Sequence, residues 1–98
     1  MKEYKYILDG HNPVVCPDLM KWAKWFESAD RSVKETEIGD VDVSTVFMGL
    51  DHNSNSSPPM LFQTMVFGGV LEGQTQQYST WDEAEKGHEQ FVEKVKNL

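Results

Sequence analysis

The stretch that most constrains this chain is VDVSTVFMGLDH, Val41 to His52. On an extended backbone, Val41, Val43, Thr45 and Phe47 fall on one face, and Asp42, Ser44, Val46 and Met48 on the other. β-Branched and aromatic residues dominate it, and they suit a pleated surface. The run starts half-polar and becomes apolar on both faces. That pattern predicts a central strand, covered by helix on one side and by a partner chain or a loop on the other. Gly39-Asp40 predicts a tight hairpin turn before it, and Gly49 breaks it.

The neighbouring segments supply the rest of a sheet. Ser32 to Ile38, SVKETEI, reads as an edge strand, because Lys34, Glu35 and Glu37 discourage edge pairing. After the polar loop DHNSNSSPP comes MLFQTMVFGG, with Phe62, Thr64 and Val66 on one face and Leu61, Gln63, Met65 and Phe67 on the other. Thr75 to Ser79 reads as a short polar return strand. Tyr4 to Asp9 reads as a first strand, with Tyr6 and Leu8 on one face, followed by a turn or loop at Gly10 to Pro13.

Two helices complete the pattern. Pro17 is placed to open the first, with Leu19, Trp22, Ala23 and Phe26 as its apolar stripe and Met20 and Trp25 widening it. The second carries a capping box, Thr80 with Glu83 three residues on. Trp81, Ala84, His88, Phe91, Val92, Val95 and Leu98 form its continuous apolar face. Gly87 weakens a helix by roughly 0.5–1 kcal/mol relative to alanine, so its place there implies close packing. The order β-α-β-β-β-β-α predicts one α+β domain over residues 1–98. Its antiparallel sheet of four to five strands has two helices packed on one face.

Composition narrows the function classes. A formal charge of −7 with scattered basic residues argues against nucleic acid or an anionic membrane as partner. Cys16 is the one cysteine, so the chain forms no internal disulfide. The N-terminal MKEYKYILDG lacks an apolar signal core, and no run reaches the ~18 apolar residues of a membrane helix. A cytoplasmic location is the expectation.

The candidate chemistry gathers at few residues. Asp51 and His52 stand where the central strand gives way to a loop, and strand ends often carry functional residues. His88 lies on the apolar face of the last helix. A core histidine there finds a hydrogen-bond partner, with Asp51, Ser44, Thr64 or a backbone carbonyl as the candidates. Convergence of Asp51, His52 and His88 would instead suit a divalent metal or a hydrolytic site. No helical His-x-x-x-His spacing or glycine-rich phosphate loop is present, so no metal, cofactor or catalytic residue is assigned. Trp25 and Trp81 join the candidates as aromatic binding surface.

The segments VSTVFMGLDH, LFQTMVFGG and QYSTWDEAEKGHEQFV, in this order and spacing, resemble a family of small bacteriophage- and prophage-encoded proteins. Members read close to STVFLGLDH, LFETMVFGG and YSTWEEAEAGH. DLMKWAKWFE and KETEIGDVDVS are similar too, so the resemblance spans about residues 17 to 92. Gln63 departs from the glutamate usual in that family. The resemblance implies an accessory protein acting in the bacterial cytoplasm, and it brings no established catalytic residues. The expected role is a non-catalytic binding module for a host protein or small ligand, as a homodimer or larger assembly. A His/Asp or metal-dependent hydrolase, a sequestering site for a nucleotide signal and a minor virion protein are the alternatives.

Overall fold

Strand-forming residues from Ser32 onward assemble as their alternation requires. The computed structural model describes residues 4–51 and 59–98. The elements are β1 (Tyr4–Asp9), β2 (Asn12–Val15), α1 (Leu19–Ser28), β3 (Ser32–Ile38), β4 (Val41–Phe47), β5 (Leu50–Asp51), β6 (Phe62–Phe67), β7 (Thr75–Tyr78) and α2 (Trp81–Lys96). The fold is α+β, with antiparallel sheets and two helices.

Strands β3-β4-β6-β7 form a four-stranded meander with β4 inside it, as its two apolar faces require. The hairpin from β3 to β4 turns at Gly39, whose φ is +60°. Val43 pairs with Val66, Thr45 with Thr64 and Phe47 with Phe62, so these side chains share one face. Helix α2 covers that face and touches all four strands. It buries Ala84, Gly87, His88, Phe91, Val92 and Val95.

The core beneath α2 is divided. One apolar cluster holds Val43, Val66, Phe91, Val92 and Val95. The other holds Phe47, Leu61, Phe62, Tyr78 and Ala84, with Tyr6, Trp25 and Trp81 against it. Thr45 and Thr64, both fully buried, stand between the two in sequence and in the sheet.

The N-terminal region builds a second, smaller sheet in the order β2-β1-β5. Two parts of it were invisible to periodicity. Asn12 and Pro13, expected in a turn or loop, join Val14 and Val15 in β2, which closes a hairpin on β1 with Asp9 opposite Asn12. Asp51, expected as the start of a loop, and Leu50 before it pair instead with Tyr4 and Lys5. Gly49 makes this turn away from β4. Its φ is +76°, and a Cβ there would lie 2.9 Å from the Phe26 ring. Its carbonyl accepts hydrogen bonds from the Tyr6 amide and the Trp22 indole.

Helix α1 differs from its expected form in two ways. Asp18, not Pro17, sets its start: the Asp18 backbone is extended and its Oδ1 accepts from the amides of Met20 (2.9 Å) and Lys21 (3.2 Å). A carboxylate that satisfies two free amides defines the N-cap. The inward stripe is Trp22, Trp25 and Phe26, while Leu19 and Met20 are exposed. This helix rests on β1 and reaches the main core through Trp25, which meets Phe47 edge-on at 5.8 Å.

Candidate functional site

Two of the predicted site residues fall in different parts of the fold, His88 in α2 over the four-stranded sheet and Asp51 in β5 of the smaller one. His88 is fully buried, and its ring is held between two threonines. Nε2 lies 2.9 Å from Thr36 Oγ1, and Nδ1 lies 2.7 Å from Thr45 Oγ1. Thr45 Oγ1 lies in turn 2.5 Å from Thr64 Oγ1. Of the partners expected for His88, Thr64 is one link away, and the direct contacts are Thr36 and Thr45.

The reason lies in the register. Thr36 pairs with Val43 on β3 and β4, Thr45 with Thr64 on β4 and β6, and Thr64 with Gln76 on β6 and β7. A row of hydroxyls therefore crosses the sheet, and α2 lowers one imidazole onto it. Burial holds the His88 pKa below 6.5, with Lys34 adding to the effect and Glu89 and Asp42 opposing it. A neutral imidazole has one N–H and one lone pair, and hydroxyls can give or take a proton, so the row satisfies itself. Both ring nitrogens are engaged, which leaves neither free for a metal or a substrate.

Asp51 lies in β5, opposite Tyr4 in the smaller sheet. His52 lies outside the described residues. Among the described residues, no group of three His, Cys, Asp or Glu side chains is placed to hold a metal ion. Cys16 is buried, with its thiol directed at the Asp18 carbonyl. Trp25 is half-buried as a packing residue against Phe47. No helix among the described residues is long and apolar enough to cross a membrane.

Trp81, in the first turn of α2, has a more open setting. Its ring stacks on His11 at 3.7 Å and 3°, and it meets Phe62 edge-on. His11, Asn12, Pro13, Thr80, Trp81 and Asp82 line a shallow cleft of about 320 Å³. His11 thus belongs beside Trp81, a pairing that the β1–β2 hairpin creates and that sequence distance conceals.

The face of the four-stranded sheet away from α2, expected to meet a partner chain or a loop, has no helix packed on it among the described residues. Pairing places Glu35, Glu37, Asp42, Ser44, Val46, Gln63, Met65, Phe67 and Gln77 opposite the α2 side. Val46 and Met65 are half-buried, and Phe67 is 48% exposed. Glu37 stands directly across from Asp42, a like-charge arrangement that disfavours pairing. A hydrogen bond to the Asp42 carboxyl, and repulsion from it, raise the pKa of Glu35 above 4.5. Among the described residues the one ion pair, Lys34 with Glu89, lies on the opposite side, where Lys34 bridges to α2 and lowers the Glu89 pKa. The apolar alternation on both faces of β4 and β6 was the available signal.

No family model matches the chain, and no curated protein and no solved structure matches it.

Proposed function

We propose that this chain is a non-catalytic binding module of phage or prophage type that engages a host protein in the bacterial cytoplasm. The recognition surface is the open face of the β3-β4-β6-β7 sheet. One observation carries this reading: α2 covers a single face, and the other presents Val46, Met65 and Phe67 beside Glu35, Glu37 and Asp42. Contiguous exposed apolar surface marks interaction sites more often than isolated apolar residues do. Carboxylates that repel each other favour a partner bringing lysine or arginine to them, since a cation relieves the repulsion. The resemblance of VSTVFMGLDH, LFQTMVFGG and QYSTWDEAEKGHEQFV to phage-encoded proteins supports the cellular setting.

A hydrolytic role on Asp51, His52 and His88 has less support, because threonines occupy both nitrogens of His88. The test is recovery of the protein from its bacterial host under mild cross-linking, with bound proteins and metabolites identified by mass spectrometry. A host protein with a basic contact region is expected with the native chain. Met65→Asp/Phe67→Asp should lose it while keeping the native circular-dichroism spectrum. Equal recovery by that variant, or recovery of a bound metabolite alone, would overturn the reading.

A further inference from the structure

The sheets end in four edges, and three of them are guarded. Strand β3 carries Lys34, Glu35 and Glu37 and has a register irregularity between Ser32 and Lys34. Strand β2 contains Pro13, which has no amide hydrogen to offer, and β5 has two residues. Charges, bulges, prolines and shortness are the usual means by which an edge avoids pairing with another chain.

Strand β7 has none of the first three. Among the described residues its only neighbour in the sheet is β6. The segment from Gln74 to Thr80, QTQQYST, has no charge in a chain whose net charge is −7. Thr75, Gln76 and Gln77 are exposed. Beside this edge, Gln76, Tyr78, Gln90, Phe91 and Lys94 line a cleft of about 250 Å³ between β7 and α2.

We infer that β7 is the pairing edge for a second copy of this chain, joined antiparallel about a two-fold axis normal to the sheet. Such an axis keeps each face on its own side, so residues that face each other must share a face. With alternating side chains, this restricts the axis to a residue and excludes the gap between two residues. The positions nearest the middle of β7 are Gln76 and Gln77. In either register a glutamine lies across from its own copy. An amide side chain has both donors and an acceptor, so it is complementary to itself, whereas a carboxylate or an ammonium is not. The four-stranded sheets become one eight-stranded sheet with both α2 helices on one side. The two clefts beside β7 merge into a trough, with paired β7 strands as its floor and the two helices as its walls. The pairing does not depend on what the open sheet face binds.

The test is sedimentation equilibrium of the native 11.2 kDa chain over a wide concentration range. It should run at twice its chain mass at high concentration. Thr75→Glu/Gln77→Glu and Thr75→Lys/Gln77→Lys place like charges across the axis in both registers, so each variant should be monomeric alone. Mixing the two should restore a dimer of one copy of each. A native chain that is monomeric at all concentrations would overturn the assignment. So would a dimer that persists in both charged variants, which would place the contact on another surface.

Discussion

The two helices have similar amphipathic patterns but different roles. Helix α2 buries six residues against four strands, while α1 has no buried residue and rests on β1. The difference is in what each apolar stripe meets. Helix α2 lies on a wide surface built by strands far apart in sequence, and its Gly87 lets the Tyr78 ring approach its backbone closely. Helix α1 meets one strand, β1, and it is fixed there by a polar device. The Trp22 indole donates to the carbonyls of Tyr6 (3.1 Å) and Gly49 (3.2 Å). A helix on a broad sheet is thus held by area and fit, and a helix on a small three-stranded sheet by a few directed bonds.

Substitution of Gly87 should have the largest effect. A Cβ there would lie 2.2 Å from the Tyr78 ring and hydroxyl. Alanine favours a helix, so Gly87→Ala would stabilise an exposed site by up to about 1 kcal/mol. Here the overpacked contact should dominate, with a net loss of about 2–3 kcal/mol in urea unfolding. A neutral or stabilising result would mean that α2 can shift on its sheet, and the contrast with α1 would fail.

Next comes His88→Leu. It leaves Thr36 and Thr45 without their partner inside the core, which should cost about 2–3 kcal/mol at pH 7.5. The pH profile separates this from a simple packing loss. The folded pKa lies below the unfolded value near 6.5, so the unfolded chain takes up the proton more readily. The native protein therefore keeps this contribution above pH 6.5 and loses it as pH falls from there toward the folded pKa. His88→Leu should lack that part of the slope, and the gap between the two proteins should narrow in acid.

The smallest effects belong to α1. Trp22→Phe keeps the ring but removes the donor to two carbonyls, for an expected loss of about 1–2 kcal/mol. Met20→Ser, at a site 73% exposed, should stay within about 0.5 kcal/mol. Unfolding midpoints measured together decide the matter. If Met20→Ser cost more than Trp22→Phe, the apolar stripe would matter more to α1 than its indole bonds.

Much of the fold was legible where one residue's requirement dominates. The alternation of β4, the Thr80 cap with its 3.1 Å bond to the Glu83 amide, and the close approach at Gly87 all follow from local chemistry. Strands β2 and β5 were not legible, because four and two residues carry no usable period and only pairing with β1 makes them strands. Helix α1 begins two residues beyond the expected Pro17, because Pro17 and Asp18 both suit a helix start and the side-chain bonds make Asp18 the N-cap and Leu19 the first helical residue. The His88 environment was legible in kind but not in partner. Its burial follows from α2 periodicity, whereas Thr36 and Thr45 reach it through strand register, which no local pattern encodes. The second apolar face of β4 was legible as one that needs a partner chain or a loop, whereas the β7 edge becomes visible only once the strands are ordered.

The threonine–histidine row has a further consequence. A chain of hydroxyls around a neutral imidazole has a direction. If Thr45 donates to Nδ1, it must accept from Thr64, and Nε2 donates to Thr36; the opposite order reverses every link. No single rung can turn without stranding a proton or leaving two oxygens facing without one. Reversal is therefore one collective event that also moves the imidazole proton from one nitrogen to the other. The four groups that join α2 to strands β3, β4 and β6 thus keep or reverse their donor order together.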